Sequence, residues 1–266
     1  MKKICFLVSG NCFGNCNGCY LDKREGKELT LEEISKLAST LKNTGYLGIT
    51  LSGGDPLIRE DILDIINIFF SLDFNIHLDT TGIPLLRKEF SDKFIKAQMA
   101  KKISLIGIPF DGSSQKVAEE FRTNWEDILK QTKTILKILN NNDFKITINT
   151  VVHKNNIDDL NNIYEEITQY PNIQRWELHQ FVSLSEKSKG IKNLLGISKK
   201  TFTDSIKKIK NFRNIEITPK VSHNKSNFKY IDFNGDVVIL KEGEKSIINN
   251  IRNLNDEDMQ KLFGGI

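Results

Sequence analysis

Between residues 4 and 181 short apolar runs alternate with amphipathic segments, and that alternation restricts the chain to a parallel α/β architecture. Residues 4–9, 48–52, 75–79, 102–108, 144–152 and 174–181 read as strands. Helices are predicted between them over 30–41, 59–70, 88–100, 124–139 and 157–168. Several strand runs are continuously apolar, which predicts a sheet covered on both faces. Thr30 followed by Glu33 is a capping box ahead of an apolar-periodic run. Six strands joined by helical crossovers make three quarters of a (β/α)8 barrel.

Beyond residue 181 the alternation weakens. Residues 185–190 read as an exposed loop, and 199–212 as a basic amphipathic helix with its lysines in solvent. Short strands are predicted over 214–218, 228–233 and 236–240, the last two joined by the hairpin signal Asn234-Gly235. Residues 254–263 read as a final helix. Residues 1–181 are therefore read as a barrel, and 182–266 as a small α+β extension packed on it in one domain unit.

With 39% hydrophobic and 27% charged residues the chain suits a soluble globular protein. A net charge of +4 from 38 basic and 34 acidic residues is too small and too dispersed to argue for a nucleic-acid partner. The first ten residues, MKKICFLVSG, read as a strand and not a secretory signal, because the apolar run stops at Ser9. No run approaches the roughly 20 apolar residues of a membrane span. A cytoplasmic protein with no membrane partner is expected.

Three of the four cysteines fall within eight residues: Cys12, Cys16 and Cys19, spaced C-x3-C-x2-C after the first predicted strand. Thiolates so spaced suit three corners of a [4Fe–4S] cluster, leaving one iron open. A structural zinc site takes four ligands, and none of the four histidines (77, 153, 179 and 223) lies in this loop. Cys5 stands apart on a strand and reads as a small core residue. In a parallel α/β barrel the active site forms at the C-terminal strand ends. Gly53-Gly54-Asp55-Pro56 follows the second strand there, and Asp79-Thr80-Thr81-Gly82 the third. The fourth runs into Pro109-Phe110-Asp111-Gly112 with Arg122 beyond, the fifth carries Asn149, and the sixth Trp176, His179 and Gln180. Trp176 reads as core.

These motifs, in this order, resemble the radical S-adenosylmethionine (SAM) enzymes over residues 4–181. The resemblance implies a partial (β/α)6 barrel, a [4Fe–4S] cluster on Cys12, Cys16 and Cys19, and SAM bound to the open iron. Reductive cleavage of SAM would then give a 5′-deoxyadenosyl radical that takes hydrogen from a substrate. Gly53, Gly54 and Asp55 resemble the GGEP motif at the methionine amino group, where glycine lets backbone approach a ligand closely. The resemblance places Thr80 and Thr81 near ribose or methionine, with Asp79 beside them. Arg122 would meet the SAM carboxylate, Asn149 would touch SAM, and His179 and Gln180 would approach adenine. Gly18 stands where the family often has an aromatic residue, and Tyr20 follows the third cysteine instead. Pro109 stands where the family often has a serine.

No cysteine follows Cys19, so the sequence offers none for the auxiliary clusters of many relatives. The expected substrate is a peptide, modified or epimerised, or a small molecule. The expected reductant is an external electron donor of flavodoxin or ferredoxin type. Residues 146–160 and 175–181 resemble viperin-like nucleotide dehydratases and the broader molybdenum-cofactor cyclase branch; for a dehydratase Lys154, Lys187 and Lys189 are candidate phosphate contacts. A non-catalytic iron–sulfur module is the alternative of another class.

Overall fold

A computed structural model describes the chain except for residues 15, 22–25, 124, 211–214, 222–227, 242–243 and 265–266 and the side chain of residue 187. The predicted boundaries at 124, 212 and 214, and His223, lie outside the described residues. The strands are β1 (Lys3–Ser9), β2 (Gly48–Gly53), β3 (Asn75–Asp79), β4 (Leu105–Pro109), β5 (Ile146–Val152), β6 (Ile173–Gln180), β7 (Glu216–Lys220), β8 (Phe228–Ile231), β9 (Asp236–Lys241) and β10 (Glu244–Asn250). They form one sheet in the order β10-β9-β8-β1-β2-β3-β4-β5-β6-β7. Strands β1 to β7 pair in parallel, β8 joins the free edge of β1 in parallel, and β8–β9–β10 continue antiparallel.

The helices are α1 (Leu31–Asn43), α2 (Ile62–Ser71), α3 (Lys88–Lys96), α4 (Met99–Lys102), α5 (Gln115–Glu119), α6 (Ile128–Asn141), α7 (Leu160–Ile167), α8 (Glu186–Gly190), α9 (Lys192–Leu195), α10 (Lys199–Ile206) and α11 (Asp256–Gly264). The predicted capping box forms: Thr30 Oγ1 accepts the Glu33 N–H at 3.2 Å, and Glu33 Oε2 accepts the Thr30 N–H at 2.8 Å. Ile34, Leu37, Ala38 and Leu41 on α1 are fully buried with Phe6 and Ile49 in one core, as are Phe69, Phe94, Phe144 and Trp176. Each such side chain contributes about 1.5–3 kcal/mol by leaving water.

The structure corrects several expectations. Only the helix-facing side of the sheet is buried in helices. The other side is concave and partly exposed, at Thr50, Asp79, Asn149 and His179 among others, and among the described residues no strand pairing closes β7 onto β8. The predicted helix over 88–100 breaks into α3 and α4, because Gln98 takes a left-handed backbone with φ +56°. Residues 186–190 form helix α8, capped by Ser185, with Ser185 and Ser188 buried. Helix α10 stops at Ile206, and the strand predicted at 214–218 is β7. Strand β10 was not predicted, because its exposed positions lack a clear apolar alternation.

In-register partners share a face, so the pairing identifies the concave wall. Cys5, Thr50, His77 and Leu105 stand on one level. Asp79, Gly107, Thr147, Arg175 and Glu216 stand on the next, followed by Pro109, Asn149, Glu177 and Thr218. Closed barrels fill this space with branched apolar side chains; here it is largely polar.

Candidate active site

The cysteine loop leaves β1 at Ser9 and returns to the fold at Leu29, and a buried arginine fixes both ends. Arg59, 7% exposed, donates to the Val8 carbonyl at 3.0 Å and the Leu29 carbonyl at 3.0 Å. Asp61 holds the same guanidinium through Nε at 2.8 Å and Nη2 at 2.7 Å. Arg252, from the far end of the chain, donates to the Lys27 and Glu28 carbonyls at 3.1 and 3.0 Å. Ser9 Oγ donates to Glu28 Oε1 at 2.6 Å, closing the neck.

Gly53 and Gly54 seat the loop. Gly53 has φ +138°, and a Cβ there would lie 2.4 Å from the Ser9 carbonyl oxygen; one on Gly54 would lie 2.0 Å from that of Asn11. The Gly54 and Asp55 N–H groups donate to those same carbonyls at 2.8 and 2.7 Å. The glycines thus admit a close approach of the cysteine loop itself. Asp55 is fully buried and caps the turn Pro56–Ile58. Its Oδ1 accepts from the Leu57 N–H at 3.0 Å and the Thr80 hydroxyl at 2.6 Å. Its Oδ2 accepts from the Thr81 N–H at 3.1 Å and the Thr81 hydroxyl. All four lone-pair sites of the carboxylate are thereby used by the protein. Burial pushes its pKa up, against the pull of these donors.

Above this seat Cys12 is exposed, while Cys16 and Cys19 are half-buried. Phe121 backs the loop: its carbonyl accepts the Asn17 N–H at 3.1 Å, and a Cβ on Gly18 would meet its ring at 2.3 Å and that of Phe181 at 2.8 Å. The space beside the third cysteine is therefore filled by aromatic rings from elsewhere in the fold. Ser185, the N-cap of α8, donates to the Cys19 carbonyl at 2.6 Å. Lys245 on β10 donates to the Tyr20 carbonyl at 2.8 Å, and Tyr20 is 43% exposed. Arg122 pairs through Nε with the buried Asp111 and directs Nη1 to Cys16 Sγ at 3.5 Å.

On the concave wall Asn149 Nδ2 donates to Asp79 Oδ1 at 2.9 Å. They meet across β4 because Gly107 stands between them: a Cβ there would lie 2.0 Å from Asp79 Oδ1 and 2.7 Å from Asn149 Nδ2. His77 Nε2 approaches Asp79 Oδ1 at 3.2 Å, and Lys3 Nζ lies 3.4 Å from His77 Nδ1. Burial opposes ionisation of Asp79, but His77 and the Asn149 hydrogen bond hold its carboxyl down at about 2. Glu177 stands among Arg175 at 3.7 Å, His179 at 3.5 Å and Lys220 at 3.6 Å.

The residues predicted from the sequence on β3, β5 and β6 thus take four different places. Asp79, Asn149 and His179 face the concave wall. Gln180, next to His179, faces the other way and donates to the Ile197 carbonyl at 2.9 Å. Thr80 and Thr81 are buried and turned to Asp55. Trp176 is core, fully buried and bonded to Thr150 Oγ1 at 2.8 Å. His77, Glu177, Lys220, Phe121 and Arg59 were not predicted, and Asp111 was placed at a strand end without a role. His77 and Glu177 each lie two residues before a predicted wall residue, so strand periodicity contained that signal.

Among the described residues no three His, Cys, Asp or Glu side chains converge as a single metal ion requires. Three thiols spread along one anchored loop are instead the donor set of an iron–sulfur cluster, in which each thiolate takes its own iron. The residues fit that group.

Comparison with known proteins places the chain in a family. Residues 6–167 match the family model described as Radical SAM superfamily. A PqqA peptide cyclase of Bradyrhizobium diazoefficiens is 27% identical over 142 residues, 53% of this chain and 36% of that protein. An S-adenosylmethionine-dependent nucleotide dehydratase of Selenomonas ruminantium is 25% identical over 185 residues, 66% of this chain and 64% of that protein. The chain thus spans less than two thirds of either relative. The crystal structure of Streptococcus suis SuiB bound to precursor peptide SuiA shares the fold, with a TM-score of 0.66 and 15% identity over 88% of this chain and 58% of that one. The family model covers more than half of the chain and runs from within β1 to the end of α7, so the chain belongs to the radical SAM superfamily, which works with a [4Fe–4S] cluster and S-adenosylmethionine.

Proposed function

We propose that this chain is a SAM-cleaving enzyme whose substrate is a peptide, bound along the open concave wall. Cys12, Cys16 and Cys19 would hold the cluster, and Asp79 and Asn149 would meet SAM from the wall. When bound, the cluster supplies the electron that splits SAM into methionine and a 5′-deoxyadenosyl radical able to take hydrogen from a substrate. Exposed Cys12 gives an external donor of flavodoxin or ferredoxin type a side from which to deliver that electron.

The observation that carries the peptide reading is the balance of charge on the wall. Lys3, Arg175 and Lys220 face Asp79, Glu177 and Glu216, three cations against three anions. A triphosphate calls for several converging cations. Lys154 is exposed, and Lys189 is exposed and paired with Glu186 at 2.5 Å. A wall of balanced charge, on which Asn149 Oδ1 has no hydrogen-bond partner among the described residues, suits an extended polar chain. The named peptide relatives support the same reading.

The test is anaerobic reconstitution with iron and sulfide, followed by dithionite, SAM and either a peptide library or nucleoside triphosphates. The expected result is 5′-deoxyadenosine whose yield rises with peptide. A rise with triphosphates alone would move the assignment to nucleotide dehydration. A clustered protein that never forms 5′-deoxyadenosine would be an iron–sulfur module without this activity.

A further inference from the structure

Arg122 was predicted to be a partner for the SAM carboxylate, and its surroundings point elsewhere. Its side chain is 14% exposed, and it is tied through Nε to Asp111, whose side chain is fully buried. Asp111 is itself fixed: Oδ1 accepts the Val151 N–H at 2.7 Å, and its carbonyl accepts Asn156 Nδ2 at 2.9 Å. The guanidinium also lies over the Phe121 ring, 5.6 Å from its centroid. A planar cation held by a buried carboxylate and an aromatic face has little freedom to swing toward a ligand. Its remaining edge points at Cys16 Sγ, 3.5 Å from Nη1.

We propose that Arg122 is a positioning residue for the cluster, which donates an N–H···S hydrogen bond to the Cys16 sulfur and sets the cluster's reduction potential. This rests on the reading of Cys12, Cys16 and Cys19 as cluster ligands. Hydrogen bonds to the sulfurs and nearby charge are among the determinants of an iron–sulfur potential. One-electron reduction makes the cluster more negative, so a fixed cation beside it stabilises the reduced form and raises the potential. Asp111 partly offsets that charge and fixes its direction. Phe121 and Arg122 together touch the loop at Asn17, Gly18 and Cys16, so one segment both shapes the loop and tunes what it carries.

The test is an EPR-monitored redox titration of the reconstituted protein without SAM, comparing wild type with Arg122→Gln, Arg122→Lys and the double variant Asp111→Asn/Arg122→Gln. The double variant removes both charges, so no buried carboxylate is left unpaired to threaten folding. The expected result is a more negative potential in Arg122→Gln and, to a lesser extent, in the double variant, with recovery toward wild type in Arg122→Lys, at unchanged iron and sulfide per chain. Potentials equal to wild type in all three variants would overturn the inference. So would an unchanged potential with a tenfold or larger loss of SAM affinity, which would return Arg122 to the SAM carboxylate. A wild type that takes up no [4Fe–4S] cluster would refute the ligand assignment beneath it, a result read from iron content before any titration.

Discussion

The Thr80 hydroxyl meets the Asp55 carboxylate at 2.6 Å, bonding the segment after β2 to the segment after β3 at the mouth of the barrel. The bond joins two motifs that look independent in the sequence. Asp55 seats the cysteine loop through its own N–H to Asn11, while its side chain gathers Leu57, Thr80 and Thr81. The motif is first a joint between strand ends, and the cluster loop rests on that joint.

Replacing Asp55 with Asn tests the joint. An amide offers one acceptor oxygen where the carboxylate offers two, so the Thr81 N–H, which cannot rotate away, faces a second donor. A buried donor left unmatched costs about 1–3 kcal/mol. Chemical denaturation of Asp55→Asn should show a loss of that size, with Thr81→Ser, which keeps the hydroxyl, close to wild type. Wild-type stability in Asp55→Asn would show the carboxylate to be dispensable.

Gly54→Ala tests the seat more directly. Its Cβ would lie 2.0 Å from the Asn11 carbonyl oxygen, a backbone atom that cannot rotate aside. The loop has to lift while the β1–β6 core beneath it stays packed. The expected outcome is a folded protein whose reconstituted iron and sulfide content falls at least several-fold. Full cluster content in a folded Gly54→Ala protein would separate the glycine pair from loop placement.

The sequence made the six parallel strands and their polar ends legible because helix and strand periods are local properties. It did not show the residues that matter by absence or by distance. Gly107 looks like an ordinary strand glycine until Asp79 and Asn149 meet over it. Phe121 and Phe181 look like core aromatics until both rings press on Gly18, more than one hundred residues away in the chain. The open concave face was also hidden, since continuous apolar runs suggested strands covered twice. The resemblance places His179 and Gln180 together near adenine, yet adjacent strand residues point to opposite faces.

Arg252 and Glu33 give a pH-dependent test. Arg252 donates to both Glu33 oxygens, at 2.6 and 2.9 Å, and this bond holds the Glu33 carboxyl down at about 2. A carboxylate whose folded pKa lies below its unfolded value stabilises the fold above the unfolded value, near 4.3, and loses that contribution as pH falls toward the folded value. Glu33→Gln should therefore melt below wild type at pH 7, and the gap should close between about pH 4 and pH 2. The pair is partly exposed, so the shift should be small and reduced by salt. A gap independent of pH would assign the effect to the capping bond with Thr30 instead.

Gly107→Ala separates the wall's binding role from its folding role. The new methyl would lie 2.0 Å from Asp79 Oδ1, the far end of a flexible side chain, so the carboxylate can rotate away at modest cost. Relieving that contact breaks the Asp79–Asn149 bond, while removing a strand glycine lowers the entropy of the unfolded chain, worth about 0.4–1 kcal/mol in favour of folding. The two effects oppose each other, so the melting temperature should move by only a few degrees. If Asp79 and Asn149 meet SAM, equilibrium binding of SAM to the reconstituted protein should weaken at least tenfold. Unchanged SAM affinity with unchanged melting would show that the Asp79–Asn149 bond organises neither, and would leave the wall to the substrate alone.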